Sequence, residues 1–354
     1  MSIKVKIVHI ESGLGNQMLS FCEYLALKSV NPQDDMYIEN VIFSIPECND
    51  VICQWNGYEL DRIFGIDVPN IMDILSINQQ QKFVNDIVES QFWEKHWNYA
   101  PYITKSLCEL GFAVRNIRGD FELEYKSKDL KHGVIGKFRS AFFDHSHIGN
   151  YIRRKLTASK LFPNNIAMQK KLFYDGVDNV FTGQRLSFKF RGMGIERIQE
   201  DIFKTFVFPE YTTEQNVNMS KLLDSTNSVF IHARRGDMLS ANGWCYKYGF
   251  FKRAVKYIKN NVENPLFVFF TNTGSIEWCK KHAEDIFGLK KMDKVMFVDW
   301  NAGNQSFRDM QLMTHCKHGI ITNSTFGWWG AYLIKNPNKI TISPLVEINT
   351  TYHC

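Results

Sequence analysis

One short segment of the chain joins an apolar run to a cluster of charged side chains. Residues 229–231 are the β-branched and aromatic run V-F-I, typical of a buried strand, and the polar residues that follow are His232, Arg234, Arg235 and Asp237. In an open α/β sheet, ligands bind outside the carboxyl ends of the strands. A guanidinium group matches phosphate oxygens and stays charged at any working pH. The segment therefore predicts a phosphate-binding loop, with a structural Arg–Asp pair as the alternative.

A second polar group stands between an apolar run at 319–321 and a helix predicted at 326–334. Its residues are Asn323, Ser324 and Thr325. A hydroxyl at a helix start is first of all an N-cap. The same position directs backbone N–H groups and the helix dipole at an anion. We expect one of these two roles, a cap or a phosphate site.

Asp309 lies near the start of a helix predicted at 306–316. As an ordinary acid of the first turn it would stabilise the helix dipole. A carboxylate can also accept two N–H bonds from guanine, which few other side chains can do. The sequence leaves both roles open.

A glycine-containing loop near the N-terminus separates a strand predicted at 4–10 from a helix predicted at 18–28. This arrangement lets backbone N–H groups approach an anion or a sugar, although glycine is also needed simply to turn the chain. We assign four residues of this loop to substrate binding, namely Gly13, Gly15, Asn16 and Gln17.

The second half of the chain alternates short apolar strands with helices, which predicts a parallel sheet covered on both faces. Besides the elements above, strands are predicted at 266–270, 295–298 and 339–342, and helices at 248–260 and 275–287. The first half is less regular, with strands predicted at 36–43 and 111–116 and helices at 50–54, 79–90 and 144–155. We place the domain boundary after Phe208-Pro209, giving domains 1–211 and 212–354.

The composition is that of an ordinary globular protein. The 354 residues are 44% hydrophobic and 22% charged, and the net charge of +5 is too mild and too scattered to suggest a nucleic-acid partner. The eight cysteines form no C-x-x-C pair and are expected to be reduced. No signal peptide or long apolar span is apparent, so we expect a cytoplasmic protein, with peripheral contact to the inner face of the membrane left open.

Four motifs in order resemble the bacterial α-1,2-fucosyltransferases of glycosyltransferase family 11. They are G-L-G-N-Q-M at 13–18, H-x-R-R-G-D at 232–237, D-x-x-L-M at 309–313 and C-K-H-x-I-I-x-N-S-T-F-x-W-W-G-A at 316–331. Together they make a specific match, which no single motif would be. The H-x-R-R-G-D motif is also similar to that of α-1,6- and protein O-fucosyltransferases, so the resemblance implies GDP-fucose more firmly than a linkage.

The resemblance implies a GT-B fold, in which two Rossmann-like domains face each other across a cleft. Domain 212–354 would bind the GDP-sugar and domain 1–211 would lie on the acceptor side. The implied reaction is the inverting, metal-independent transfer of L-fucose from GDP-β-L-fucose to a galactoside hydroxyl, making an α-1,2 link on a surface glycan that is free or lipid-linked. No cofactor is implied. The alternatives are another GDP-sugar or linkage, or a catalytically silent sugar-nucleotide-binding protein.

Within this reaction, Arg234 is the expected catalytic residue for charge on the departing diphosphate, supported by Arg235, Ser324 and Thr325. His232, Asp237, Asp309 and Asn323 complete the predicted donor site. Because side chains alternate along a strand, His232 and Arg234 should face the nucleotide together, and Arg235 should pair with an acid.

The catalytic base is less clear, with Glu11, Glu122 and Glu124 as candidates beside a mechanism that relies on the leaving group alone. The chain also departs from the family pattern. The residues Thr271-Asn272-Thr273 replace an acidic pair, Met238 replaces a tyrosine, and Glu11-Ser12 replaces paired glycines. These departures leave the acceptor and the sugar open.

Overall fold

The computed structural model describes residues 5–49, 56–94, 99–116, 148, 179–183, 197–272 and 274–344. These residues divide into two compact units between Val207 and Phe208. The helix predicted at 50–54, that at 144–155 apart from residue 148, and the candidate bases Glu122 and Glu124 lie outside the described residues.

The N-terminal unit is built on a parallel sheet with the strand order β2-β1-β4-β3. Its core contains Ile7, Ile42, Phe83, Ile103 and Phe181. The strands are β1 Val5–His9, β2 Asp35–Glu39, β3 Arg115–Asn116 and β4 Val180–Thr182. The helices are α1 Leu14–Val30, α2 Pro46–Asn49, α3 Leu60–Phe64, α4 Ile77–Ser90, α5 Ala100–Glu109 and α6 Gln199–Thr205.

The C-terminal unit carries a five-stranded parallel sheet with the order β7-β6-β5-β8-β9. Its strands are β5 Ser228–Ala233, β6 Leu266–Thr271, β7 Lys294–Val298, β8 His318–Ile321 and β9 Thr341–Ile342. Its helices are α7 Glu214–Ser225, α8 Leu239–Lys247, α9 Phe250–Asn261, α10 Ile276–Lys281, α11 Phe307–His315 and α12 Thr325–Tyr332.

Consecutive residues of the central strands enter separate apolar clusters. Val229 and Ile231 of β5 pack with α9 residues such as Phe251, whereas Phe230 packs with Leu223 of α7 and Leu312 of α11. Period-two alternation over a doubly covered sheet requires this division. The predicted α/β class, with a Rossmann-like parallel sheet in each half, is confirmed.

Several predicted boundaries were wrong. The strand predicted at 36–43 ends at Glu39, because the Glu39 carboxylate accepts the Val41 N–H at 2.6 Å and turns the chain into a 3₁₀ segment, Val41–Ser44. Helix α1 begins at Leu14, not at 18, with Gly13 as its N-cap. Six of the described helices, α2, α3, α5, α6, α7 and α8, were not predicted.

Candidate active site

All strands of the C-terminal sheet are parallel, but the order in which they are added reverses between β5 and β8. The chain first adds β6 and β7 on one side of β5 and then β8 and β9 on the other. The register pairs His232 of β5 with Ile321 of β8, and the Thr322 hydroxyl donates to the His232 carbonyl at 3.3 Å. Arg234 follows β5 and Ser324 follows β8. The two residues therefore lie on neighbouring loops at the carboxyl edge of the sheet. A switch point of this kind is where open α/β sheets bind their ligands.

The backbone of the arginine loop, residues 234–237, is held by side chains from β6 and α8. The Arg235 N–H donates to Asn272 Oδ1 at 2.7 Å, and the Tyr246 hydroxyl donates to the Arg234 carbonyl at 2.9 Å. The Thr271 hydroxyl donates to Ala233 O at 2.7 Å. Thr271 and Asn272 occupy part of the position where the resemblance implied an acidic pair, and here they fix the loop.

Among the described residues no ion pair joins Arg235 to an acid, and that pairing stays a prediction. Its Cζ lies 3.3 Å from the centre of the Trp278 ring and 5.1 Å from that of Tyr246. A planar guanidinium stacks on aromatic faces, which a lysine ammonium does less well. Arg235 thus anchors the loop through cation–π contacts, while Arg234 stays partly exposed.

His232 is buried beneath the first turn of α12. A Cβ at Gly327 would overlap His232 Nδ1, and the Phe326 ring centre lies 5.8 Å from the imidazole. Burial, helped by the charge of Arg234, lowers the pKa of His232 to about 3, so the ring is neutral at pH 7. Its predicted contact with a ligand stays a prediction, and its structural role is to support α12 from below.

Helix α12 begins with no side-chain cap. Ser324 is the N-cap in extended conformation, but its hydroxyl makes no capping hydrogen bond, and the side chains of Asn323, Ser324 and Thr325 are partly exposed. The orphan N–H groups and the dipole of such a terminus favour an anion. Two roles were expected for these residues. The structure shows no side-chain cap at Ser324, so that role is contradicted, and the anion site stays a prediction.

Asp309 lies in the first turn of α11, beyond the carboxyl end of β7. Asn301 donates to its Oδ1 at 2.8 Å and is itself held by Asn216, whose Nδ2 donates to Asn301 Oδ1 at 2.9 Å. Burial raises the pKa of Asp309 to about 7, with a further rise from the charge of Asp299 and an opposing effect of the Asn301 bond. This oriented carboxylate ionises near neutrality and is suited to a ligand that donates N–H bonds.

In the N-terminal unit, the predicted loop residues separate into two groups. Gly13 caps α1, and Gly15, Asn16 and Gln17 belong to its first turn, so they are not loop residues. Gln17 is fully buried. Its Nε2 donates to Ser12 O at 2.7 Å and to Gly57 O at 2.9 Å, and its Oε1 accepts the Glu59 N–H at 2.8 Å. The Gln17 amide is therefore engaged in holding the fold.

Glu11 belongs to a buried ionic cluster at the end of β1 that the sequence analysis missed. His9 Nδ1 bonds to the Glu39 carboxylate, and His9 Nε2 lies 3.7 Å from Glu11 Oε2. Burial by itself would lower the pKa of His9, but the charge of Glu39 and contacts with Glu11 raise it to about 9. The ring is also stacked on Tyr99, with centroids 3.9 Å apart. His9 is thus a buried imidazolium between two carboxylates.

Further expectations concern metals, cysteines and membranes. No group of three or more His, Cys, Asp or Glu in the described ranges is arranged to hold a metal ion. The cysteines within those ranges, Cys22, Cys48, Cys108, Cys245, Cys279 and Cys316, are free thiols, as predicted. Among the helices that the structure describes, none has the length and apolar character that crossing a bilayer requires.

Asp237 was also predicted to belong to the donor site, but its side chain lies outside the described part of the structure.

An arginine loop beside an uncapped helix terminus, at the switch point of a parallel sheet, defines a candidate nucleotide-diphosphate site in an α/β protein. Residues 205–352 match the sequence model of glycosyl transferase family 11. The resemblance to this family is thereby confirmed for the part of the chain that carries the site.

Several individual proteins are similar to this chain in sequence or in structure. An α-1,2-colitosyltransferase of Escherichia coli is 38% identical over 38% of this chain and 48% of its own length. Galactoside α-(1,2)-fucosyltransferase 1 of Leontopithecus chrysomelas is 28% identical over 38% of this chain and 39% of its own length. The chain thus spans less than half the length of these relatives. The fucosyltransferase NodZ from Bradyrhizobium aligns with 93% of this chain and 92% of its own, with 12% identity and a TM-score of 0.44.

The two arginines should respond differently to replacement by lysine. Arg235→Lys loses its stacking on Trp278, an interaction worth about 0.5–2 kcal/mol, and should lower the melting temperature by several degrees. Arg234→Lys should melt like wild type but lose about 10²- to 10³-fold in donor-saturated rate. Differential scanning fluorimetry and initial rates with GDP-fucose measure both effects. The assignment fails if Arg235→Lys is the slower enzyme and melts like wild type.

Asp309 should make GDP affinity depend on pH. Only the ionised carboxylate accepts two N–H bonds, so with a pKa of about 7 the affinity should rise about tenfold from pH 6 to pH 8. Asp309→Asn should bind GDP about 10- to 100-fold more weakly at pH 8, because a hydrogen bond to a charged group contributes about 1.5–3 kcal/mol.

Isothermal titration calorimetry across this pH range is the measurement. Asp309→Asn also serves as the control, since it retains the titration of the GDP phosphate and loses only that of the carboxylate. An identical pH profile in wild type and variant would show that Asp309 merely stabilises the helix.

Proposed function

We propose that the protein is an inverting glycosyltransferase that moves L-fucose from GDP-β-L-fucose to a hydroxyl of a galactose-containing surface glycan, forming an α-1,2 link. The observation that carries the proposal is the placement of Arg234 beside the uncapped start of α12, within the region that matches glycosyl transferase family 11. The acceptor is a free or lipid-linked glycan, and GDP-fucose is the donor.

The strand order β7-β6-β5 sets the distance between the two ends of the proposed donor site. Neighbouring strands lie about 4.8 Å apart, so the ends of β7 and β5 are separated by about 10 Å. A nucleoside diphosphate can span this separation, with guanine at Asp309 and the phosphates at Arg234. The carboxylate of Asp309 would accept the guanine N–H groups, and Asn301 would keep it oriented.

During transfer, the bond between the sugar anomeric carbon and the diphosphate oxygen breaks as the acceptor oxygen attacks from the opposite face. The electron pair of the broken bond stays on the diphosphate. Arg234 and the N–H groups at the start of α12 are positioned to stabilise this charge without rearranging. Arg235 contributes indirectly, since its contact with Trp278 holds the loop in place.

The acceptor hydroxyl must lose its proton, and Glu11 is the proposed base. In the described part of the chain it is the acid of the His9 cluster with the greater exposure, because 11% of its side-chain surface is accessible whereas Glu39 is fully buried. His9 is a positioning residue. Its imidazolium, fixed from behind by Glu39, would hold the Glu11 carboxylate while Glu11 accepts the proton.

A second candidate donor is GDP-colitose, the 3-deoxy analogue of GDP-fucose. The 38% identity with an α-1,2-colitosyltransferase is the observation that favours it. The proposed chemistry at the phosphates and at guanine is the same for both sugars. Only groups that contact the sugar 3-hydroxyl can therefore distinguish them.

A donor and acceptor screen tests the function. Purified protein is incubated with GDP-fucose, GDP-colitose, GDP-mannose or UDP-galactose and with galactosides, and the product linkage and anomeric configuration are read by NMR. We expect an α-linked product from GDP-fucose or GDP-colitose and activity that survives excess EDTA. Arg234→Ala is the inactive control. Transfer only from a UDP-sugar, or activity restored by Mg²⁺ after chelation, would contradict the proposal.

The base assignment is tested by Glu11→Gln, with exposed Glu47→Gln as a matched control. Glu11→Gln should lower kcat by about 10²- to 10⁴-fold and leave the KM for the donor nearly unchanged. His9→Gln should reduce kcat less and change the dependence of rate on pH. If Glu11→Gln keeps the wild-type kcat while Arg234→Ala is inactive, the transferase function stands and the base lies elsewhere.

A further inference from the structure

Helix α9 presents a cationic face to solvent. Its buried side consists of Phe250, Phe251, Ala254, Val255 and Ile258. Its exposed charged residues are Lys252, Arg253 and Lys256, beside exposed Tyr257, Asn260 and Asn261. The sequence Phe250–Asn261 contains no acid, so no carboxylate within the helix neutralises these charges. An amphipathic helix with a purely basic outer face differs from the mixed charges usual on solvated helices.

A second basic segment runs beside α9. Gly288, with φ +73°, packs on Lys252, since a Cβ at this glycine would lie 3.2 Å from Lys252 Cγ. At the other end, Lys259 forms an ion pair with Asp293. Residues 288–293 are thereby fastened along the helix, and they add the exposed side chains of Lys290, Lys291 and Met292 to its basic face.

Together these residues form one surface, which we call the basic surface: Lys247, Tyr248, Lys252, Arg253, Lys256, Tyr257, Lys259, Lys290, Lys291, Met292, Asp293 and Lys294. Asp293 is the only acid among them, and Lys259 neutralises it. In the sequence, Glu263 follows α9 by two residues and Glu284 precedes Gly288 by four. Its eight cations and one acid give this surface a net charge of +7.

The basic surface also exposes apolar and aromatic side chains. The exposed fractions are 84% for Met292, 54% for Tyr257 and 44% for Tyr248. Lysine and arginine attract anionic headgroups, tyrosine is enriched at membrane interfaces, and an unbranched apolar side chain can enter the acyl boundary. These three residue types occur together here on a helix and a loop fastened side by side.

We propose that the basic surface docks the protein on an anionic lipid bilayer. The charge complements a negatively charged leaflet, and the exposed Met292 adds an apolar contact that a soluble polyanion would not use. The position also suits catalysis. Helix α9 ends before the amino end of β6 and loop 288–293 precedes that of β7, whereas Arg234 and Ser324 follow the carboxyl ends of their strands. Docking through Lys256, Lys259 and residues 288–293 would leave the candidate site open to its substrates. Lys247 and Tyr248, at the other end of the surface, follow Tyr246, which bonds to the Arg234 carbonyl.

Vesicle sedimentation tests this proposal with the full chain. The protein should sediment with vesicles of phosphatidylcholine mixed with phosphatidylglycerol and not with phosphatidylcholine alone. Binding should disappear in about 1 M salt, where the screening length falls to about 3 Å. Lys256→Gln/Lys291→Gln should weaken partitioning by about 25-fold, since each cation near the surface contributes about fivefold. Met292→Ser should weaken it at unchanged charge.

The matched control is Lys221→Gln/Lys335→Gln, which removes the same charge from exposed positions on other elements. It should partition like wild type, and GDP calorimetry should show that all variants keep the donor site. Equal losses in the two double variants would overturn the proposal, as would equal binding to uncharged vesicles. Binding to soluble heparin through Lys256 and Lys291, without vesicle binding, would assign the surface to a soluble polyanion instead. None of these outcomes depends on the transferase activity.

Discussion

The carboxyl end of β5 is fixed from both sides, and the rest of the candidate site depends on this constraint. After β8, the Thr322 hydroxyl donates to the His232 carbonyl. On the β6 side, the Thr271 hydroxyl donates to the Ala233 carbonyl, and Asn272 Oδ1 accepts the Arg235 N–H. Each such bond contributes only about 1 kcal/mol to stability. Their combined effect is preorganisation, because the Arg234 backbone cannot rotate away from the start of α12. A charge-stabilising donor is effective when its position does not change during the reaction.

Each unit contains a fully buried histidine, and the two differ in charge because, in the described part of the chain, only one has carboxylate neighbours. His232 lies near Arg234 with no carboxylate partner among the described side chains, and its pKa of about 3 keeps it neutral. His9 in the other unit is just as buried, yet two carboxylates raise its pKa to about 9. A neutral His232 adds no positive charge to a turn already polarised by the α12 dipole. A charged His9 compensates two acids that burial would otherwise disfavour. The same residue type thus serves a packing role in one unit and an electrostatic role in the other.

Features of the fold that depend on a local pattern of apolar and polar residues could be predicted from the sequence. Alternating apolar strands and helices identified the C-terminal sheet, and the motifs located the residues at its carboxyl edge. Helix α7 was missed because its buried side includes the polar residues Asn216 and Ser220, which obscure the apolar period. The partner of Arg235 was missed because Trp278 comes from a distant helix and offers a ring where an acid was expected. The cluster of His9 and Glu39 requires the pairing of β1 with β2, which short apolar runs do not reveal.

The two units differ in how their chemistry relates to the known family. The family match covers residues 205–352, and the features suited to a nucleoside diphosphate all lie there. The Glu11 cluster lies outside that match, at a position where the chain departs from the family's paired glycines. Recognition of a guanosine diphosphate needs fixed positive charge and an acceptor for the guanine N–H groups, which residues at one sheet edge can supply. Acceptor activation needs only one correctly placed proton acceptor, and a carboxylate can be placed by any local arrangement that keeps it ionised. A buried imidazolium is such an arrangement, and His9 provides it beside Glu11 in this chain.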